Sequence, residues 1–237
     1  MDKDYKDKLP LLRQQIPIGL RHGLLLLEKT EGNVAQAVVL FQEEMIRLIS
    51  NKTGVDIALA RKHLAQNGFE ISATLKSIEE ERYSLTERII RRYKDKEEAI
   101  GKIAWSVETT HGLKRNFWLD FACLENLEPE LFCLMVIHEW LSYDGWEGLD
   151  SALYFHLDTI TEQMEKRLGL PQLAQTLRKA LEIYQQQAEQ QKAFLEREGY
   201  CSPTPEFSQQ NDIYNLQRPM LIDKLYDLVK EYIEKFP

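Results

Sequence analysis

The chain has 237 residues, 43% hydrophobic and 29% charged, a balance that supports packed cores and excludes wholesale disorder. Lys plus Arg number 30 against 38 Asp plus Glu, a net charge of -8, which excludes general attraction to nucleic-acid backbones. No apolar run approaches the roughly 20 residues that cross a bilayer, so the expected setting is cytoplasmic, with Cys123, Cys133 and Cys201 as reduced thiols.

The first feature in chain order is a repeat at an offset of 37. Leu20, Gly23, Leu27, Val34, Ala37, Val38 and Phe41 stand opposite Ile57, Ala60, Leu64, Ile71, Thr74, Leu75 and Ile78. Each copy predicts two helices around a break, at Thr30-Glu31-Gly32-Asn33 and at Gln66-Asn67-Gly68, where glycine can take the left-handed conformation that closes a helix. The second copy also carries Thr53-Gly54, Lys62 and Leu64, then Gly68, Glu70 and Ile71; the first carries Gly32-Asn33-Val34 and Ala37-Val38. On these residues the segment 10–83 resembles tandem ubiquitin-associated (UBA)-like modules of the type found at the N-terminus of elongation factor Ts. The resemblance implies small helical modules that dock a protein partner through an apolar groove. Two helical hairpins that pack on each other would account for the same pattern.

Ser84-Leu85-Thr86-Glu87 is a capping box, so residues 84–112 are expected to form connecting helices, the last running from Lys94 to His111 and ending at Gly112. Pro129 opens a helix from Glu130 to Ser142, with Tyr143-Asp144-Gly145-Trp146 as the turn that follows. Asp150 then caps a segment whose Leu153, Leu157, Ile160, Met164 and Leu168 share a face. After Gly169, Pro171 opens a long helix through Leu173, Leu177, Ala180, Tyr184 and Ala188 that closes at Gly199, with Gln185 to Gln191 on its solvated side. Residues 200–212 are expected as loop, and Pro219 as the start of a last helix carrying Leu221, Leu225 and Leu228. With no alternating strand anywhere, the predicted class is all-α, and residues 113–237 form an acidic helical domain.

Charge is unevenly placed. Residues 1–92 hold 15 basic and 13 acidic side chains, residues 93–237 hold 15 and 25. From Asn116 to Glu165 there are 11 carboxylates and no Lys or Arg, where even scatter would put about six basic residues. Together with Tyr143-Asp144-Gly145-Trp146, the sequences Leu168-Gly169-Leu170-Pro171, Asp212-Ile213-Tyr214 and Leu228-Val229-Lys230-Glu231-Tyr232-Ile233 make this part resemble the bacterial DNA-mimic protein family, otherwise a domain of unknown function. The resemblance implies an all-helical fold whose carboxylates occupy a DNA-binding protein in place of duplex. Carboxylates one helical turn apart, about 5.4 Å, approximate a line of phosphates. Glu125, Glu128 and Glu130 cluster, and Asp144, Glu147 and Asp150 recur every third residue, so these six are the expected partner-binding charges. A solvated acidic face is the other reading of the same run.

Catalytic motifs are incomplete. His138-Glu139-Trp140-Leu141-Ser142 begins like a zinc-protease helix but has serine where the second histidine would stand. His138 shares a register with Leu131, Leu134 and Leu141, as a core histidine would; His138, His156 and nearby carboxylates in a metal-dependent hydrolase form the enzymatic alternative. No glycine loop precedes Lys-Ser or Lys-Thr, and no cofactor or resident metal is expected. Trp105, Trp118, Trp140 and Trp146, with Phe117, Phe121 and Phe132, read as the second core, Trp146 excepted as a possible anchor for a partner beside Gly145. The sequence therefore predicts a non-catalytic interaction or regulatory protein that engages a basic, DNA-binding protein without contacting nucleic acid or membrane. An adaptor without mimicry is the neighbouring alternative.

Overall fold

The computed structural model describes residues 5–198 and 203–237. The chain is all-α and divides into two compact units, Met1–Tyr83 and Ser84–Pro237.

In the first unit α1 (Leu9–Gln15) precedes two helical hairpins, α2 (Leu20–Lys29) with α3 (Val34–Thr53), and α4 (Ile57–Gln66) with α5 (Ile71–Arg82). Both hairpins begin their first and second helices 37 residues apart. The connections repeat in detail: Gly32 N donates to Leu27 O at 2.7 Å, and Phe69 N to Leu64 O at 2.7 Å. Asn33 caps α3 by accepting from Gln36 N, and Glu70 caps α5 by accepting from Ala73 N. Burial repeats as well. Leu27 and Leu64 are fully enclosed, as are Ala37 and Thr74, whereas Leu20 and Ile57 are 59% and 56% exposed. A short helical hairpin cannot enclose its own apolar face, and here both copies and α1 share one core. Thr74 enters it because its hydroxyl donates to Glu70 O at 2.7 Å.

The second unit starts with α6 (Leu85–Arg92), where both bonds of the Ser84–Glu87 capping box are made, and α7 (Lys96–His111). Ile89, Ala99, Ile100, Ile103, Ala104 and Val107 from these helices enter the unit's core. A minimal hairpin follows, β1 (Arg115–Asn116) and β2 (Trp118–Leu119), with Phe117 alone at the turn. Then come α8 (Pro129–Glu147), α9 (Leu149–Ala152), α10 (Leu157–Lys166), α11 (Pro171–Gln190), α12 (Lys192–Glu198) and α13 (Pro205–Glu231). Helix α8 is apolar nearly all round from Leu131 to Leu141, His138 and Glu139 excepted, and packs against α7, α9, α10 and α13.

Several boundaries differ from expectation. The turn placed at Tyr143-Asp144-Gly145-Trp146 is the last stretch of α8, which stops only where Gly148 turns to φ 86°. Asp150 is not a cap; it lies in α9, and the segment behind it is broken where His156 takes φ 54° ahead of α10. The described part of the predicted loop at 200–212 is helical from Pro205, and Pro219 lies inside α13 rather than at its start. Thr204 caps the helix through Phe207 N, and burial of Phe207, Tyr214, Leu221, Leu225 and Leu228 outweighs the one hydrogen bond Pro219 cannot make. Gln187, expected in solvent, is buried and accepts from Thr204 N at 2.9 Å. Gly199 and Cys201 lie outside the described residues.

Candidate functional site

The seven residues expected at a partner surface separate by burial. Glu125 and Glu147 are exposed, and Trp146, on the last turn of α8, is 82% exposed. Glu128 is exposed and pairs with Lys235 at 3.4 Å. Glu130 is buried instead: its Oε2 accepts from Lys235 Nζ at 2.7 Å and its Oε1 from Arg167 at 3.5 Å. The Lys235 ammonium holds the Glu130 carboxyl below the usual range. Asp144 is half-buried, with Oδ2 accepting from the Tyr214 hydroxyl at 2.6 Å; burial raises its pKa against the opposing effect of that bond. Asp150 is half-buried with the Tyr184 hydroxyl 3.5 Å away. The three-residue spacing of Asp144, Glu147 and Asp150 does not build one line of charge, because Gly148 ends α8 between the second and the third.

The residues tested for chemistry have other work. Glu139 is fully buried and anchors the hairpin: Oε1 accepts from Arg115 Nη1 at 2.9 Å and from Leu119 N at 2.8 Å. Arg115 Nε also donates to Glu108 at 2.8 Å, so one guanidinium serves two carboxylates. His138 is half-buried beside Gly101 on α7, and burial, with Arg115 adding to it, lowers its pKa to about 4. His156 is exposed and stacks on Phe121 with centroids 4.3 Å apart. Among the described residues no three His, Cys, Asp or Glu side chains are grouped to hold a metal ion. Cys133 is enclosed in the core, which pushes its thiol up to about 12, while Cys123 is exposed.

What the sequence reading missed is an aromatic face. Trp105 and Phe117, expected in the core, are 65% and 81% exposed. Phe117 meets Trp118 edge-on at 5.4 Å, Trp118 meets Tyr143 at 5.0 Å, and Tyr143 stacks on Phe155 at 4.3 Å. Phe155 continues to Phe121 at 5.6 Å, and Phe121 to His156. Six rings thus run without a gap from the exposed Phe117 to the exposed His156, passing through the buried Phe121. Two of them, Phe117 and His156, sit on left-handed backbone at φ 69° and 54°. A bulky side chain there is uncommon, and such strain concentrates at functional positions. The one signal available in sequence was the density of aromatic residues at 117–121 and 154–156, which is equally what a core supplies.

A sequence pattern that defines one domain family matches residues 84–234 of this chain, nearly the whole second unit. The chain belongs to the YfbN C-terminal domain family. The Escherichia coli (strain K12) protein described as uncharacterized protein YfbN is 36% identical over 174 residues, which cover 73% of each chain. No solved structure matches. The hairpin, α8 and all six rings of the aromatic face fall inside the YfbN domain. No described helix is long and apolar enough to cross a membrane.

Proposed function

We propose that this YfbN-family chain is a non-catalytic interaction protein whose second unit engages a basic protein surface. The observation that carries the reading is the fate of the carboxylates between Asn116 and Glu165. Glu128, Glu130, Glu139, Glu162 and Glu165 are paired with cations from outside that stretch, namely Lys235, Arg167, Arg115, Lys166 and Arg178. Among the described residues Asp120, Glu125, Glu147 and Asp158 are exposed and form no ion pair, and Asp150 lies 3.5 Å from the Tyr184 hydroxyl. A field of that sign draws a basic surface and repels nucleic acid. In its sharpest form, the basic surface is one that otherwise holds duplex DNA.

The first unit supplies a second docking element in this reading. A cavity of about 230 Å³ lies between the two hairpins, lined by Pro17, Ile18, His22, Phe41, Phe69 and Ile71. Met45 and Glu70 also line its walls, which are mixed apolar and polar, and the UBA-like resemblance implies docking of a partner on that part of the chain.

The test is affinity capture from cytoplasm with the intact chain and with the Glu125→Lys, Glu147→Lys double variant, each washed with competing duplex DNA. A basic protein retained by the natural sequence, lost by the variant and released by duplex is the expected result. Equal retention by both forms removes the acidic surface from the function, and retention indifferent to duplex removes mimicry alone.

A further inference from the structure

We propose that the aromatic face around Phe117, Trp118, Tyr143 and His156 is a binding site for an arginine side chain carried by the basic partner, an inference that rests on the reading of a basic partner above.

Exposure and backbone point to the site together. Phe117 leaves 81% of its surface in water and also holds a left-handed φ of 69°, at the tip of a hairpin only two residues long on each side. Glycine would satisfy that turn without either cost. The phenyl ring meets only Trp118 among the described aromatic residues, so nothing within the unit encloses it. Its position is nevertheless fixed. Arg115 and Leu119, one on each strand, are both held by the buried Glu139 carboxylate. A rigidly presented ring, open to solvent, is the form in which an aromatic group serves as an anchor. Behind Trp118, which is tilted against both of them, Tyr143 and Phe155 stack in parallel and keep the run of rings continuous, and Trp146 stands three residues beyond Tyr143 on α8.

Charge selects the ligand. Asp120 adjoins Phe121, Glu147 lies one turn beyond Tyr143, and Asp158 follows His156 by two residues; none has an ion pair among the described residues. The nearest basic residues in sequence are Lys114, ahead of the hairpin, and Arg115, which Glu108 and Glu139 already engage. Ring faces are electronegative, so this surround reinforces a preference for cations over phosphate-bearing bases. A planar guanidinium can lie flat on a ring while donating sideways to carboxylates, which an ammonium cannot do. Arginine fits better than lysine for that reason.

The experiment measures binding of fluorescein-labelled hexa-arginine and hexa-lysine peptides to the intact protein by fluorescence anisotropy, at about 0.15 M salt. Natural protein is expected to favour hexa-arginine by at least about threefold, and Phe117→Gly to weaken hexa-arginine about three- to tenfold and erase the preference. Glycine suits the left-handed turn, and circular dichroism checks that the variant is folded. Equal affinity for the two peptides, natural affinity in the Phe117→Gly variant, or no binding of either peptide each overturns the inference. If Glu147→Lys weakens both peptides while Phe117→Gly changes nothing, the basic-partner reading stands and the arginine site falls. Failure of that broader reading shows separately, in the duplex-washed capture.

Discussion

The hydroxyl of Tyr214 donates a 2.6 Å hydrogen bond to Oδ2 of Asp144, tying the middle of α13 to the last turns of α8. Burial raises the Asp144 pKa above its ordinary 3.8, so folding favours the neutral carboxyl. The stability this group contributes is complete below 3.8 and is lost as pH rises through the higher folded value. Asp144→Asn keeps an acceptor for Tyr214 and has no charge to bury. It should be at least as stable as the natural protein near neutral pH, the difference vanishing below about pH 3.8. Urea titrations at three pH values test this; a variant whose deficit grows as pH rises above about 3.8 would mean the charged carboxylate is welcome there.

Glu139 is expected to be the most sensitive polar residue of the second unit. Glu139→Ala leaves Arg115 and the Leu119 amide without their buried acceptor, at a cost of about 3–5 kcal/mol. Glu139→Gln retains an acceptor for Leu119 and should lose only about 1–2 kcal/mol. Denaturant unfolding of the pair separates the two bonds, and equal losses would assign everything to Arg115.

The internal repeat predicts matched responses at matched positions. Leu27→Ala and Leu64→Ala each empty an enclosed site and should cost about 2–5 kcal/mol. Leu20→Ala and Ile57→Ala remove exposed side chains and should stay within about 0.5 kcal/mol. Thermal unfolding of the four variants would contradict the shared core if the exposed pair proved as costly as the enclosed pair.

Phe117→Gly is also a stability prediction. Relief of a left-handed phenylalanine should raise unfolding free energy by up to about 1 kcal/mol, after glycine's own entropy cost. A higher melting temperature is the expected readout; a lower one would show that the ring contributes to packing in spite of its exposure.

Local chemistry carried most of what the sequence revealed. The Ser84–Glu87 box and the breaks at Gly32 and Gly68 appear where side-chain and glycine chemistry put them. These signals act within a few residues. Pro219 misled because proline reports the cost of one missing bond, while the gain from burying Phe207 and Tyr214 is tertiary. Glu130 and Asp144 turned inward because α8, apolar nearly all round, has no polar side in its sequence to orient them; Lys235 and Tyr214, 105 and 70 residues away, decide it. The aromatic face escaped for a related reason. Composition cannot distinguish rings that fill a core from rings that cover its edge.

The amide of Thr86, in the first turn of α6, donates to the carbonyl of Pro237 at 2.7 Å. Synthesis runs from one of these residues to the other. While a ribosome builds the second unit, α6 emerges early and must wait for some 150 further residues before this acceptor exists. That hydrogen bond is thus among the last contacts of the second unit to form during synthesis, whereas the packing of α6 on α7 joins neighbours in sequence.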